Sequence, residues 1–380
     1  MTRRDRLRAE LVEVLPAWVA ARAVVALAAW LASALAARDR PGGTTLALSQ
    51  GLVAWDGQWY EGIARFGYGG LAERVGSDEG LRFFPLHPLL ARIVEVLPGI
   101  GVAAALVLVA NVAALAVAVL ARRTTLAEGH GPEAARRAVW LLSLFPPAFV
   151  LVWGYAEALF LIGAMGGLLA CRRRWWWLAA GAGLVAGATR PLGLLLVAPF
   201  AWEAWEAWRG RPGLGAPGRP PVPAVVAAVA APAVGTAAYL AWVGRRFGDP
   251  LLPFTVQSPL RGEAVDPLTR LGRGLADLVG PERFGDGLHL PFALALAVLA
   301  GLTFRHWPRS YGILGALFLV TALSAENLNS LERYGLNAFP LVLTLAVVGR
   351  SWWAERIALA VCAGGLLSLA SLAWLGVYVP

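Results

Sequence analysis

Trp55-Asp56-Gly57 sets a carboxylate between an indole and a residue with no side chain. It opens the run Trp55-Asp56-x-x-Trp59-Tyr60-Glu61-x-Ile63-Ala64-x-x-Gly67-Tyr68. An aromatic, partly dry setting raises a carboxylate's proton affinity, which is what a general base requires. Gly57 lets a backbone or a substrate approach closely. The plainer reading is an anchoring belt, with Trp and Tyr at the headgroup level of a bilayer and the carboxylates solvated. On either reading the three-and-four spacing predicts a short amphipathic helix in the membrane interface.

Four further places carry chemistry-bearing side chains. In Phe83-Phe84-Pro85-Leu86-His87-Pro88 two prolines three apart predict an extended or re-entrant stretch leading into 89–97. His87 there is either a phosphate ligand or proton shuttle, or a satisfied structural histidine. Trp153-Gly154-Tyr155-Ala156-Glu157 places Glu157 at or just inside the start of an apolar helix. A carboxylate at membrane depth costs about 2.5 kcal/mol or more and is usually functional, while a carboxylate at a helix N-terminus is favoured by the dipole. Arg190, in Thr189-Arg190-Pro191-Leu192-Gly193, and Arg333, in Glu332-Arg333-Tyr334, are isolated between apolar runs. A planar guanidinium there suits phosphate oxygens, and snorkelling to headgroups is the alternative. Arg22, inside the first apolar run, needs a buried partner or a water-filled cavity.

The elements that must hold these residues are membrane helices. Hydrophobic residues make up 58% of the 380, and the mean hydropathy is +0.62, outside the range of ordinary soluble domains. The first apolar run is too long for the core of a cleaved signal. At about 20 residues per crossing, candidate spans fall at 14–36, 99–121, 138–153, 155–171, 175–189, 191–207, 222–243, 289–304, 310–324, 336–349 and 357–378. The chain thus reads as an all-α polytopic membrane protein of about 11 spans, one integral membrane domain over 1–380.

Net charge +9 comes from arginine, with no lysine in the chain, so it argues for loop anchoring rather than for nucleic acid. Arg3, Arg4, Arg6 and Arg8, then Arg122, Arg123, Arg136 and Arg137, Arg172 to Arg174, Arg209, Arg211 and Arg219, and Arg305, Arg309, Arg350 and Arg356 fall in short segments on one side. The positive-inside rule makes that side cytoplasmic, with the N-terminus in and the C-terminus out. Residues 37–98 and 244–288 become long extracytoplasmic loops, the first carrying interfacial helices. Residues 208–222, rich in Gly, Pro and Arg, read as a flexible cytoplasmic linker. Cys171 and Cys362 read as small core residues. No P-loop, nucleotide fingerprint or metal-ligand spacing is present, so no cofactor is expected, and a divalent ion between nearby carboxylates stays open.

The segments WDGQWYEGIARFGY, FFPLHPLL, GYAEALF, ATRPLG and LERYGLNAFP, in that order between about Arg22 and Pro340, resemble the glycosylphosphatidylinositol mannosyltransferase 2 (PIG-V-like) family of the GT-C superfamily. The resemblance implies a GT-C-like bundle in the cell membrane with an extracytoplasmic active site. It implies transfer of a mannosyl unit from a polyprenyl-phosphate donor to a membrane lipid or glycan acceptor. Asp56 matches the essential aspartate of the first outer loop. Trp55, Tyr60, Glu61, His87, Tyr155, Glu157, Arg190 and Arg333 are grouped with it as substrate-binding positions. His87 stands where such proteins often have Tyr, and Ala156 where Ser or Thr is common, which leaves the acceptor open. A bacterial member would lack the family's named acceptor. The implied reaction is an inverting displacement with Asp56 as base and Arg190 and Arg333 on the departing phosphate. A carrier or flippase for a polyprenyl-linked sugar is the competing class.

Overall fold

The computed structural model describes residues 3–39, 42–215, 219–258, 262, 264–280 and 286–380. The side chains of Arg3 and Arg6, residues 216–218 of the expected linker, and 40–41, 259–261, 263 and 281–285 of the expected long loops lie outside the described residues. Among the described residues the secondary structure is helical apart from one isolated bridge, Ala264 to Ala325. The chain forms two compact units, one of Met1–Arg65, His87–Met165 and Leu345–Pro380, the other of Phe66–Leu86 and Gly166–Thr344.

The helices, in chain order, begin with α1 (Arg3–Asp39), α2 (Leu46–Gln50), α3 (Asp56–Val75), α4 (Leu86–Glu95), α5 (Val102–Ala127) and α6 (Gly131–Leu144). They continue with α7 (Glu157–Arg172), α8 (Trp176–Thr189), α9 (Val197–Trp208), α10 (Val222–Phe247), α11 (Leu252–Thr255) and α12 (Pro267–Val279). Last come α13 (Leu290–His306), α14 (Arg309–Leu323), α15 (Leu331–Asn337), α16 (Phe339–Val348) and α17 (Trp352–Leu375).

Among the described residues, five stretches are long and apolar enough to cross a membrane: Leu7–Asp39, Val102–Ala127, Val222–Phe247, Asp286–His306 and Trp352–Leu375. A sixth exists if α15 and α16, bent by 76° at Ala338, count as one broken span. Helices α8 and α14 are apolar but shorter. Two expected spans are divided. The run 138–153 stops as a helix at Leu144 because Pro146-Pro147 follows, and a 3-10 turn, Ala148–Leu151, resumes. The run 191–207 starts as a 3-10 turn over Pro191–Leu196 before α9.

In the first unit, α1 buries Val14, Ala17, Ala21, Val25, Ala28 and Ala32. That three-and-four repeat is the core stripe of a helix, and the small side chains let α5, α6 and α17 come close. Leu27 and Trp30, off the stripe, are exposed. One end of the unit is laced by ion pairs, Arg123 to Glu10 at 2.6 Å, Arg136 to Glu355 at 2.6 Å, and Arg122 to Glu13. Nearly buried Arg137 donates to the Ala346 carbonyl at 2.8 Å.

In the second unit, α8 and α10 meet backbone to backbone. A methyl added at Gly187 would lie 2.1 Å from the Pro232 oxygen, and one at Gly235 2.7 Å from the Leu184 oxygen. Only glycine admits this approach. Leu81 and Phe83 are pinned in this unit as well. Tyr68 donates its hydroxyl proton to the Phe83 carbonyl at 2.6 Å, and Tyr239 does the same to Leu81 at 2.8 Å.

The 209–215 part of the expected flexible linker is docked. Leu214 N–H donates to the Arg172 carbonyl at 2.8 Å, and Arg174 donates to the Arg211 carbonyl at 3.1 Å. Buried Glu203 holds that turn, accepting from Ser310 Oγ at 2.7 Å and facing Arg172 and Arg174 at 3.4 and 3.8 Å.

Candidate active site

Helix α3 begins at Asp56, and the residue before it is strained. Trp55 has φ 56°, in the left-handed region, a conformation that costs a bulky residue about 1–3 kcal/mol. Its indole N–H donates to the Ala373 carbonyl at 2.9 Å. The helix itself is interrupted at Gly67, where φ 69° suits glycine.

The first unit brings together most of the residues singled out above. The Asp56 backbone N–H donates to the Tyr155 hydroxyl at 3.1 Å. Gly154 N–H donates to the Leu52 carbonyl at 2.8 Å, so the segments bearing Tyr155 and Asp56 are tied on both sides. Gly57 makes the approach possible. A methyl there would meet Val53 Cβ at 3.3 Å and Tyr155 Cε1 at 3.8 Å, so the room Gly57 leaves is taken by these two residues.

His87 is fully buried, edge-on to Tyr60 with ring centroids 5.0 Å apart. Desolvation pushes its pKa down to about 4, so the ring is neutral at pH 7. Its Nε2 lies 3.2 Å from the Gly154 carbonyl. A carbonyl only accepts, so Nε2 carries the proton and Nδ1 is left as the base, with no hydrogen-bond partner among the described residues. A neutral ring bonded to the backbone orients the Gly154-Tyr155 turn. It carries no charge for a phosphate.

His87 is also placed differently from the expected extended stretch. Helix α4 starts at Leu86, with Pro88 in its first turn, where a missing N–H has no partner to lose. Glu157 is the first residue of α7 and is buried, in the position favoured by the helix dipole. Glu61 is half-buried, paired to Arg65 at 2.6 Å, and accepts from Gln58 at 3.4 Å.

Arg190 and Arg333 belong to the second unit. Arg190 ends α8 and is half-buried. Arg333 is buried in α15, with Nη2 3.4 Å from Ser330 Oγ, and Ser330 itself has φ 65°. Sequence reading missed two buried polar groups elsewhere in this unit, His289 and Arg270. His289 Nδ1 meets the buried Glu332 carboxylate at 2.7 Å. Buried Arg270 is held by Asp277 at 3.2 Å and by Asp286, whose other oxygen accepts the Leu328 N–H at 3.0 Å. Partners 43 residues apart leave no spacing signal. The one available hint was an ionisable residue in an apolar chain.

Among the described residues no three His, Cys, Asp or Glu side chains gather as a metal site. Compared with protein-family models, curated proteins and solved structures, the chain matches none.

Proposed function

We propose that this chain is a multi-span membrane glycosyltransferase of GT-C architecture, with about 11 crossings and its N-terminus in the cytoplasm. It moves a mannosyl unit from polyprenyl-phosphate-mannose to a glycolipid or other extracytoplasmic acceptor. Asp56 takes the proton from the acceptor hydroxyl as that oxygen attacks the anomeric carbon. The bond from that carbon to the phosphate oxygen breaks, and polyprenyl phosphate leaves as the anion, needing no general acid.

The observation that carries the reading is the first turn of α3. Asp56 follows a tryptophan held in strained backbone, and its amide is fixed by the hydroxyl of a buried tyrosine. Strain of this kind persists where surrounding structure over-determines it, and it clusters at working sites. Trp55 and Tyr60 then line the sugar end, and His87, Tyr155 and Glu157 position it. Glu61, committed to Arg65, shapes the local charge. The phosphate-binding role given to Arg190 and Arg333 by the resemblance is a separate proposal, tested by Arg190→Gln and Arg333→Gln on donor KM.

Purified protein in liposomes with polyprenyl-phosphate-mannose and candidate glycolipid acceptors tests the reading. Asp56→Asn should abolish transfer while leaving expression and donor binding intact. Transfer at the parental rate by that variant rules out the base assignment.

The 76° break between α15 and α16, beside buried Glu332 and Arg333, favours a second reading as a carrier for a polyprenyl-linked sugar. Broken helices with buried ionisable groups recur at transport sites. Movement of the intact donor across liposomes without hydrolysis or transfer would select it.

A further inference from the structure

Arg22 lies in the apolar part of α1, about 22 Å along the helix from Leu7 at 1.5 Å per residue. Its guanidinium is thoroughly fixed. Nε donates to Asn111 Oδ1 at 2.9 Å, Nη1 to the Trp18 carbonyl at 3.1 Å and Nη2 to the Leu151 carbonyl at 3.1 Å. The Trp18 ring lies 4.0 Å below it. Asn111 is turned toward the cation because its own amide donates to the Val107 and Val152 carbonyls at 2.7 and 2.8 Å.

Every one of these partners is neutral, and Arg22 has no ion pair among the described residues. The charge is oriented but not balanced. Of five guanidinium N–H groups, three are committed, leaving two for a ligand. An uncompensated cation in apolar surroundings is costly and is normally matched by an anion.

Arg22 also lines a cavity of about 470 Å³. Apart from Asn111 and Ser33 its other walls are apolar or small, among them Val25, Ala26, Ala29, Leu52 and Trp374, and no carboxylate lines it. Leu27 and Trp30 on α1 are 49% and 67% exposed, so the helix that forms one wall faces lipid.

We propose that this groove binds an anionic phospholipid of the surrounding bilayer. The phosphate diester meets the two uncommitted N–H groups of Arg22, and an acyl chain lies against Val25, Ala26 and Ala29. Charge complementarity selects the ligand: a fixed cation, apolar walls and a lipid-facing helix fit an anionic amphiphile reaching the groove laterally. The assignment is independent of the glycosyltransferase reading.

Native mass spectrometry of the full-length, delipidated protein titrated with phosphatidylglycerol and with phosphatidylcholine tests it. One phosphatidylglycerol should bind at least tenfold more tightly than phosphatidylcholine. Arg22→Gln should lose that preference. Ala26→Trp, which fills the groove and leaves Arg22 in place, should lower the affinity by a similar factor while keeping a monodisperse elution profile. Equal binding of the two lipids overturns the proposal, as does unchanged binding in a monodisperse Ala26→Trp protein. Displacement of phosphatidylglycerol by an equimolar polyprenyl phosphate would overturn the choice of occupant.

Discussion

Acidification should destabilise the protein through His87, and Gln in its place should remove the effect. The unfolded chain protonates this imidazole near pH 6.5, whereas burial pushes the folded value down to about 4. Between those values the unfolded chain binds a proton that the folded chain does not, so stability falls as pH falls. Above about 6.5 the contribution is flat, and below about 4 no further loss accrues. From pH 7.5 to pH 5 the penalty covers about 1.5 pH units at roughly 1.4 kcal/mol each, or about 2 kcal/mol. For a cooperative unit of this size that corresponds to roughly 4–8 °C in the unfolding midpoint. The assay is thermal unfolding of detergent-solubilised protein followed by tryptophan fluorescence, for wild type and His87→Gln, at several pH values. Gln keeps a donor near the Nε2 position for the Gly154 carbonyl but does not titrate. The other titrating groups are shared, so the difference between the two profiles isolates His87. Parallel profiles between pH 7.5 and 5 would refute the neutral, buried imidazole.

Four other substitutions follow from the packing. Tyr155→Phe removes the acceptor for the Asp56 amide, at about 1 kcal/mol; denaturation midpoints should show that loss, with a larger proportional fall in transfer rate. Glu203→Gln leaves Arg172 and Arg174 facing a neutral amide in a buried setting and should cost about 3 kcal/mol in thermal unfolding, whatever the assay of function reports. Gly187→Ala drives a methyl onto the Pro232 carbonyl and should cost about 1–3 kcal/mol by overpacking, whereas Gly181→Ala on the same helix meets open space and should leave the midpoint unchanged or slightly higher.

The membrane character and several helices were legible because hydropathy and a three-and-four repeat are local signals. The apolar run 14–36 within α1 and the position of Glu157 at the head of α7 are of this kind. Apolar runs misled where proline interrupts without changing hydropathy, as between Leu144 and Ala148. The opposite holds at Pro88: two prolines three apart predict an extended or re-entrant stretch, yet Pro88 stands in the first turn of α4. Within the site, the aromatic dress of Asp56 could be seen in the sequence. What fixes it could not, since Tyr155 is 99 residues away and His87 acts on a backbone carbonyl that has no side-chain identity. Glu203 went unremarked inside an apolar run, because its partners on the Arg172–Arg174 turn come from another helix end.

The close contact of α8 with α10 bears on how the chain is made. At 14 residues α8 extends about 21 Å, short of the roughly 30 Å of hydrocarbon. A helix of that length with glycines on one face gains little from lipid alone. Its partner surface, around Pro232 and Gly235, is synthesised more than forty residues later. At 5–20 residues per second that is an interval of roughly 2–9 s in which the glycine face of α8 lacks the α10 surface it packs on in the finished unit. A large side chain at Gly187 would act during biogenesis, lowering the yield of inserted protein before any folded molecule exists to be assayed.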